Sequence, residues 1–123
     1  MHKHPSLQEL VTAVKTFIDD TATPNLTGHA GFHARVASNV LATVIREFEH
    51  GPDAERDELA RLIALLEPPT SADTEGLNRQ LCERIRQGEL TISTPGLLTH
   101  LKSTAIAQLD IDQPRYSGRK RLS

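Results

Sequence analysis

The chain has 123 residues, a length that supports one hydrophobic core of ordinary size. It carries 14 basic and 16 acidic side chains, for a formal net charge of −2. Four of the basic residues lie in the last nine positions, so residues 1–114 hold ten basic against 16 acidic side chains. Because phosphate contact needs a basic face on the folded part, this acidic body argues against a nucleic-acid-binding protein.

The first predicted helix begins at Ser6. The segment from Ser6 to Glu9 is a capping box, in which the Ser6 side chain accepts from the Glu9 amide while Glu9 reaches back. Apolar residues then repeat at helical spacing through about Asp20: Leu7, Leu10, Val11, Val14, Phe17 and Ile18. We expect residues 21–31, which contain Pro24, Gly28 and Gly31, to form the first connection.

The second predicted helix spans about residues 32–50. Its apolar residues recur at steps of three and four: Phe32, Val36, Val40, Leu41, Val44, Ile45 and Phe48. Gly51 followed by Pro52 is a typical stop signal, since Gly accepts the left-handed conformation and Pro cannot continue the helix. Three alanines widen the apolar surface to more than half the circumference, so this helix is expected to be central and buried. On that basis Phe48→Ala should destabilise the fold by roughly 3–5 kcal/mol.

Three further helices are predicted. Asp53 caps the third, which ends at Pro68-Pro69 and whose Leu62, Ile63 and Leu66 could also support a dimer. The fourth starts at residues 71–73 and closes at Gly88, and the fifth takes Thr94 as its cap with Pro95 at the first helical position. Pro114 separates these helices from the tail. The prediction is an all-α, single-domain bundle of about five helices over residues 1–114, followed by a basic C-terminal tail over residues 115–123, disordered from Gly118 onward.

Compartment and topology follow from what the sequence lacks. A single cysteine, Cys82, cannot form an internal disulfide and favours a reducing compartment. No segment has the run of ~18 apolar residues that a membrane span needs, and the N-terminus does not have the pattern of a signal peptide. We therefore expect a cytoplasmic protein.

Catalytic signatures are absent from the sequence: it has no Gly-rich phosphate loop, nucleophile elbow or His-Glu-x-x-His motif. His29 and His33 have the spacing of helical metal ligands, but the glycines at 28 and 31 make that segment a poor helix. Cys82 is expected to be a small, partly buried filler on the fourth helix. We predict no catalytic residues, no metal and no cofactor.

Polar residues on the second helix are the better candidates. Arg35 and Asn39 lie one turn apart beside the apolar stripe, and His33 lies nearby. They could bond the backbone of the first connection, pair with an acid on a neighbouring helix, or form a binding surface. Arg115 and Tyr116 in the tail could likewise pack back on the bundle or anchor a partner.

Three segments together resemble a known family: residues 4–14, residues 32–41 with the pattern Phe-His-x-Arg-Val-Ala-x-Asn, and residues 112–116. This small, all-helical bacterial family has no assigned general function. Its members are encoded beside, or fused to, an aminoglycoside-phosphotransferase-like kinase and an acyl-CoA dehydrogenase-like protein.

The resemblance implies a place in the catabolism of 4-hydroxy acids such as those from levulinate. It identifies the chain as the accessory subunit of a 4-hydroxyacyl-CoA kinase and makes five residues candidates for the partner or ligand surface: His33, Arg35, Asn39, Arg115 and Tyr116. The main alternative is a stand-alone helical binder of an acyl-CoA or other small apolar ligand. A metal protein or small hydrolase built on His29 and His33 is a third.

Overall fold

The computed structural model describes residues 4–122, which contain four α-helices and no β-strand. The helices are α1 (Leu7–Phe17), α2 (Gly28–Leu65), α3 (Thr74–Arg86) and α4 (Leu97–Asp112). A turn of π-helix at Ile18–Ala22 and a 3-10 turn at Thr23–Asn25 connect α1 to α2, and a second 3-10 turn occupies Ser117–Arg121. The all-α prediction is confirmed, with four helices in place of about five.

The second and third predicted helices are one continuous helix, so the predicted stop at Gly51-Pro52 is wrong. Gly51 does not adopt the positive φ that ends a helix, and Pro52 lies inside α2. A proline within a helix removes one backbone hydrogen bond and crowds the preceding turn, but it leaves the other bonds in place. The Asp53 carboxylate pairs with the Arg56 side chain. The long helix therefore passes through a local stop signal.

The chain divides into two compact units between Glu49 and His50. The N-terminal unit is a helical hairpin of α1 and the first part of α2. Gln8 Nε2 donates to Glu49 Oε1 at 3.1 Å, and Ser38 Oγ donates to the Asp19 carboxylate. Asp19 lies eleven positions after Gln8, whereas its partner Ser38 lies eleven positions before Glu49, so the two helical segments run antiparallel.

Two local features shape the ends of this hairpin. The predicted capping box is confirmed, with Ser6 Oγ accepting from the Glu9 amide at 3.1 Å. At the other end, α2 begins at Gly28 with φ of +59°, so the residues from His29 to Gly31 are helical and not part of the connection. Gly31 is buried, and a Cβ there would lie 3.0 Å from the Leu26 carbonyl oxygen. Glycine thus permits the close approach of helix and connection.

Within residues 4–49, the N-terminal unit buries no large apolar side chain. The two buried residues of this range are Gly31 and Ser38. Five of the seven residues in the stripe predicted as the core are exposed, with Val36 at 42% and Phe48 at 38% of their surface accessible, and Leu41 and Ile45 are half-buried. The prediction of a buried central helix is wrong for this part of the chain, because a hairpin covers α2 on one side only. The loss expected for Phe48→Ala is correspondingly smaller.

The C-terminal unit contains a compact core. Leucines from α2, α3, the following loop and α4 form it: Leu62, Leu66, Leu77, Leu81, Leu90 and Leu97. Leu62 and Leu66 have no accessible surface, so the predicted dimer face on this helix is wrong and only Ile63 of the three is exposed. Each fully buried leucine contributes about 1.5–3 kcal/mol to stability.

The ends of α3 follow the sequence signals, whereas the start of α4 does not. Asp73 caps α3 through its Oδ1, which accepts from the Gly76 amide at 2.6 Å, and Gly88 follows with φ of +77°. The cap of α4 is Gly96, with φ of +88°, and not Thr94. The Thr94 hydroxyl instead accepts from the Thr91 amide at 2.9 Å and closes the preceding turn.

Candidate interaction surface

The outer side of α2 within the hairpin carries an exposed, mixed apolar and polar surface. Ser38 points toward α1, and a helix turns by about 100° per residue, so Val36 lies on the opposite side of α2. Phe32 and Val40 lie one turn to either side of Val36, and all three are between 42% and 56% exposed. We call the surface formed by Phe32, Arg35, Val36, Asn39 and Val40 the outer patch.

Arg35 and Asn39 form the polar edge of the outer patch. Both side chains are exposed, and neither makes a hydrogen bond or ion pair with any residue in the range 4–122. Two structural roles were predicted: a bond to the first connection, or a pair with an acid on a neighbouring helix. Neither contact is present among residues 4–122. A guanidinium and an amide without protein partners remain available to an external carboxylate, phosphate or backbone.

Two histidines, His29 and His33, lie near this surface. His33 packs edge-on against Phe32, with ring centroids 5.6 Å apart and planes at 68°. His29 lies on the same helix four positions earlier. Residues 4–122 contain no group of three or more His, Cys, Asp or Glu side chains placed to hold a metal ion.

The side of the hairpin next to α1 is held by a polar cluster. Asp19 accepts from Lys15 Nζ at 2.6 Å and from the Ser38 hydroxyl, whose residue is only 7% exposed. The Lys15 hydrogen bond, helped by the one from Ser38, lowers the pKa of Asp19 below its usual value. Lys15 therefore supplies the positive charge that pairs with Asp19 next to the end of α1.

The tail residues Arg115 and Tyr116 belong to the C-terminal unit. They line a surface groove of about 440 Å³ together with Asp110, Pro114, Ser117, Arg119 and Lys120. Arg119 binds Asp110 through two hydrogen bonds, one of them 3.2 Å long between Nη2 and Oδ2. That contact lowers the pKa of Asp110 and raises that of Arg119. The expectation of a disordered tail beyond Gly118 is wrong, since Ser117–Arg121 forms a 3-10 turn tied to α4.

The C-terminal unit contains a polar cluster that was not predicted from the sequence. His100 is 2% exposed, and its Nδ1 accepts from Arg61 Nε at 3.0 Å while Arg61 Nη2 donates to the Thr104 hydroxyl at 3.2 Å. Burial, together with the Arg61 charge, lowers the pKa of His100. The position of His100 between apolar residues of α4 could have indicated that it is buried. Its partner Arg61 could not be predicted in this way, because it lies 39 positions away on α2.

Two other sequence predictions concern Cys82 and membrane-spanning segments. Cys82 is exposed on α3 and is not a partly buried filler. It lines a groove of about 600 Å³ with Glu75, Asn78, Arg79, Glu83 and Arg86. Although α2 has 38 residues, neither it nor any other helix within residues 4–122 has an apolar stretch that could cross a membrane.

The structure thus groups the five predicted site residues into two sets. His33, Arg35 and Asn39 lie together on α2 in the N-terminal unit, and Arg115 and Tyr116 line the groove of the C-terminal unit. Sequence reasoning missed that Phe32, Val36 and Val40 belong with the first set, since their spacing indicated a core.

Comparisons with known proteins identify the family. No curated protein and no solved structure gives a significant match to the chain. A family model described as a domain of unknown function, DUF6285, matches residues 24–116, which include all of α2, α3 and α4, and Tyr116. That match covers well over half of the sequence, and the chain therefore belongs to the DUF6285 family.

Proposed function

We propose that this protein is a non-catalytic accessory subunit that docks on a phosphotransferase-like 4-hydroxyacyl-CoA kinase in hydroxy-acid catabolism. The observation that carries the docking role is the outer patch, an exposed row of Phe32, Val36 and Val40 beside the unpartnered Arg35 and Asn39. The kinase as the partner comes from the sequence resemblance, as does the levulinate-type pathway.

The composition of the outer patch suits a protein partner. Protein interfaces are enriched in aromatic residues and arginine, and their energetic centres are apolar anchors surrounded by polar groups. Phe32 and Val36 supply such anchors, and Arg35 offers a planar fork for a carboxylate on the facing chain. On this proposal the subunit shapes or supports the substrate-binding face of the kinase and contributes no catalytic group. An exposed free Cys82 accords with a cytoplasmic location.

A stand-alone binder of an acyl-CoA ester is the second candidate, and one observation favours it. The groove lined by Arg115, Tyr116 and Lys120 combines basic side chains with an exposed aromatic ring. Such a groove suits the phosphates and adenine of a CoA ester better than the acyl chain. This candidate predicts a rise in the melting temperature of the isolated chain with acyl-CoA, and a weaker rise for Arg115→Ala.

Co-expression tests the docking proposal directly. The chain carries the only tag, the neighbouring phosphotransferase-like protein is co-expressed, and ATP consumption with a 4-hydroxyacyl-CoA is measured with and without the subunit. We expect co-purification and a gain in rate. Val36→Glu and Arg35→Ala should each reduce the recovered kinase at least tenfold, because both residues lie within the outer patch.

Arg56→Ala is the matched control, since Arg56 is an exposed arginine on α2 that pairs with Asp53 and lies outside the outer patch. It should leave the recovery of kinase unchanged. A wild-type subunit that purifies alone and leaves the rate unaltered contradicts the proposal. If Arg35→Ala retains the kinase but melts far below wild type, Arg35 is structural.

A further inference from the structure

Both helices of the hairpin carry a second apolar row, distinct from the outer patch and spaced as in a coiled coil. On α1 the row is Leu7, Leu10, Val14 and Phe17, alternating steps of three and four residues. On α2 the same alternation gives Ala30, Ala34, Ala37, Leu41, Val44 and Phe48. A sustained three-four alternation is the pattern by which helices pack along a continuous seam. The six large side chains other than Leu41 are between 36% and 68% exposed.

The two rows lie on the same side of the hairpin. On α1, Leu10 and Phe17 each directly precede a half-buried residue, Val11 and Ile18, that faces α2. On α2, Ala37 directly precedes the inward-pointing Ser38 in the same way. One residue is a rotation of about 100°, and in an antiparallel pair this rotation turns both helices toward the same face.

This heptad face, defined by the two rows, has no charged side chain. Between the rows and along them, every position is apolar or small. The charged residues within residues 4–49 lie elsewhere: Glu9, Lys15, Asp19, Asp20, Arg35, Arg46, Glu47 and Glu49. A surface without charge can meet a copy of itself without burying an unpaired ion. Self-complementarity of one patch is the requirement for a two-fold dimer interface.

The sizes of the side chains on α2 favour one relative direction for a second copy of the chain packed on the heptad face. The end near the connection carries Ala30, Ala34 and Ala37, whereas the other end carries Leu41, Val44 and Phe48. If a second copy packs in the opposite direction, the large side chains of each copy lie over the alanines of the other. A parallel arrangement would instead place large against large and small against small, and would leave gaps at one end.

We propose that two copies of this chain pair through the heptad face in an antiparallel, two-fold arrangement, so that their hairpins form a four-helix bundle. This inference goes beyond the accessory role and does not depend on the kinase, because the outer patch lies on another side of α2. The exposed area fits a dimer. Six large side chains, about half exposed at roughly 150–200 Å² each, give about 500 Å² before Leu41 and the alanines are counted. A standard interface buries about 800 Å² per partner.

Sedimentation over a concentration series of the whole chain tests the proposal with a matched pair of variants. Val44→Glu places a charge on the heptad face, and Val36→Glu places the same charge on the outer patch of the same helix at similar exposure. We expect a dimer for wild type and for Val36→Glu at about 100 µM, and a monomer for Val44→Glu. Leu10→Glu on α1 should also give a monomer, and circular dichroism verifies that each variant stays helical.

The outcomes separate this inference from the proposed function. A wild-type monomer at all concentrations overturns the dimer, whatever the kinase does, and so does a dimer that Val44→Glu and Leu10→Glu leave intact. Loss of kinase binding in Val36→Glu with the dimer retained supports both assignments. In a Cys82→Ser background, two Ala30→Cys chains should not form a disulfide with each other, and efficient cross-linking would overturn the antiparallel direction.

Discussion

The two units of this chain differ in how they bury their apolar residues. The C-terminal unit has leucines such as Leu62, Leu66 and Leu77 with no accessible surface, whereas within residues 4–49 the N-terminal hairpin buries only Gly31 and Ser38. The hairpin has apolar residues at helical spacing in comparable number, but they lie on its outside. A core inside the chain covers the apolar residues of the C-terminal unit, whereas those of the hairpin are left open to a second chain, as proposed above.

The largest expected difference between the units comes from one substitution made in each. Leu66→Ala removes a fully buried side chain and should lower the free energy of unfolding by about 2–5 kcal/mol. Leu10→Ala removes a half-exposed side chain and should cost under about 1 kcal/mol in dilute solution. Urea denaturation at low micromolar concentration measures both. Equal losses would contradict the contrast between the units.

Acid should destabilise the C-terminal unit through His100. Because burial lowers the pKa of this imidazole in the folded state, the unfolded chain takes up a proton first as the pH falls. Stability should be independent of this group above the unfolded pKa of about 6.5, and should then fall by at most about 1.4 kcal/mol per pH unit until the folded pKa is reached.

The measurement is the urea midpoint between pH 8 and pH 5.5. His100→Asn keeps an acceptor for Arg61 Nε but cannot be protonated, so its midpoint should vary less over this range. A wild-type midpoint that is flat down to pH 5.5 would show that protonation of His100 is not coupled to unfolding.

A smaller effect is expected from the polar cluster of the hairpin. Asp19→Ala removes the acceptor of the buried Ser38 hydroxyl and of Lys15, so the contact between α1 and α2 should loosen. Hydrogen exchange of amides in α1 should accelerate, while that of α3 should not change. Asp20→Ala is the matched control, because the adjacent Asp20 is an exposed carboxylate outside this cluster. Equal acceleration in both variants would assign the effect to the charge at the helix end.

Local signals predicted a large part of the fold. The Ser6 capping box, the helix start predicted within residues 71–73 and the helix end at Gly88 each depend on a few neighbouring residues, and all three are confirmed. Gly51-Pro52 failed as a stop, since such a pair ends a helix only if the glycine takes the left-handed conformation. At the start of α4, Gly96 does adopt the left-handed conformation and caps the helix, whereas Thr94 was the predicted cap.

Burial could not be predicted in the same way. Periodicity tells which side of a helix is apolar, but it does not tell whether this chain or another one covers that side. The spacing of Phe32 and Val36 therefore predicted core residues, although both are exposed. For Arg35 and Asn39 the sequence left a structural role and a binding role open, and both side chains are exposed without a partner among residues 4–122. The bond between Arg61 and His100 joins positions too far apart in sequence for any local pattern to indicate it.

Hydrogen exchange of the whole chain as a function of protein concentration tests the central claim most directly. The claim is that the hairpin depends on a second chain to cover its apolar surface, while the C-terminal unit does not. Protection of amides in α1 and residues 28–49 should rise from about 1 µM to 100 µM, and that of α3 and α4 should stay constant. Protection of the hairpin that is high and independent of concentration would contradict the account.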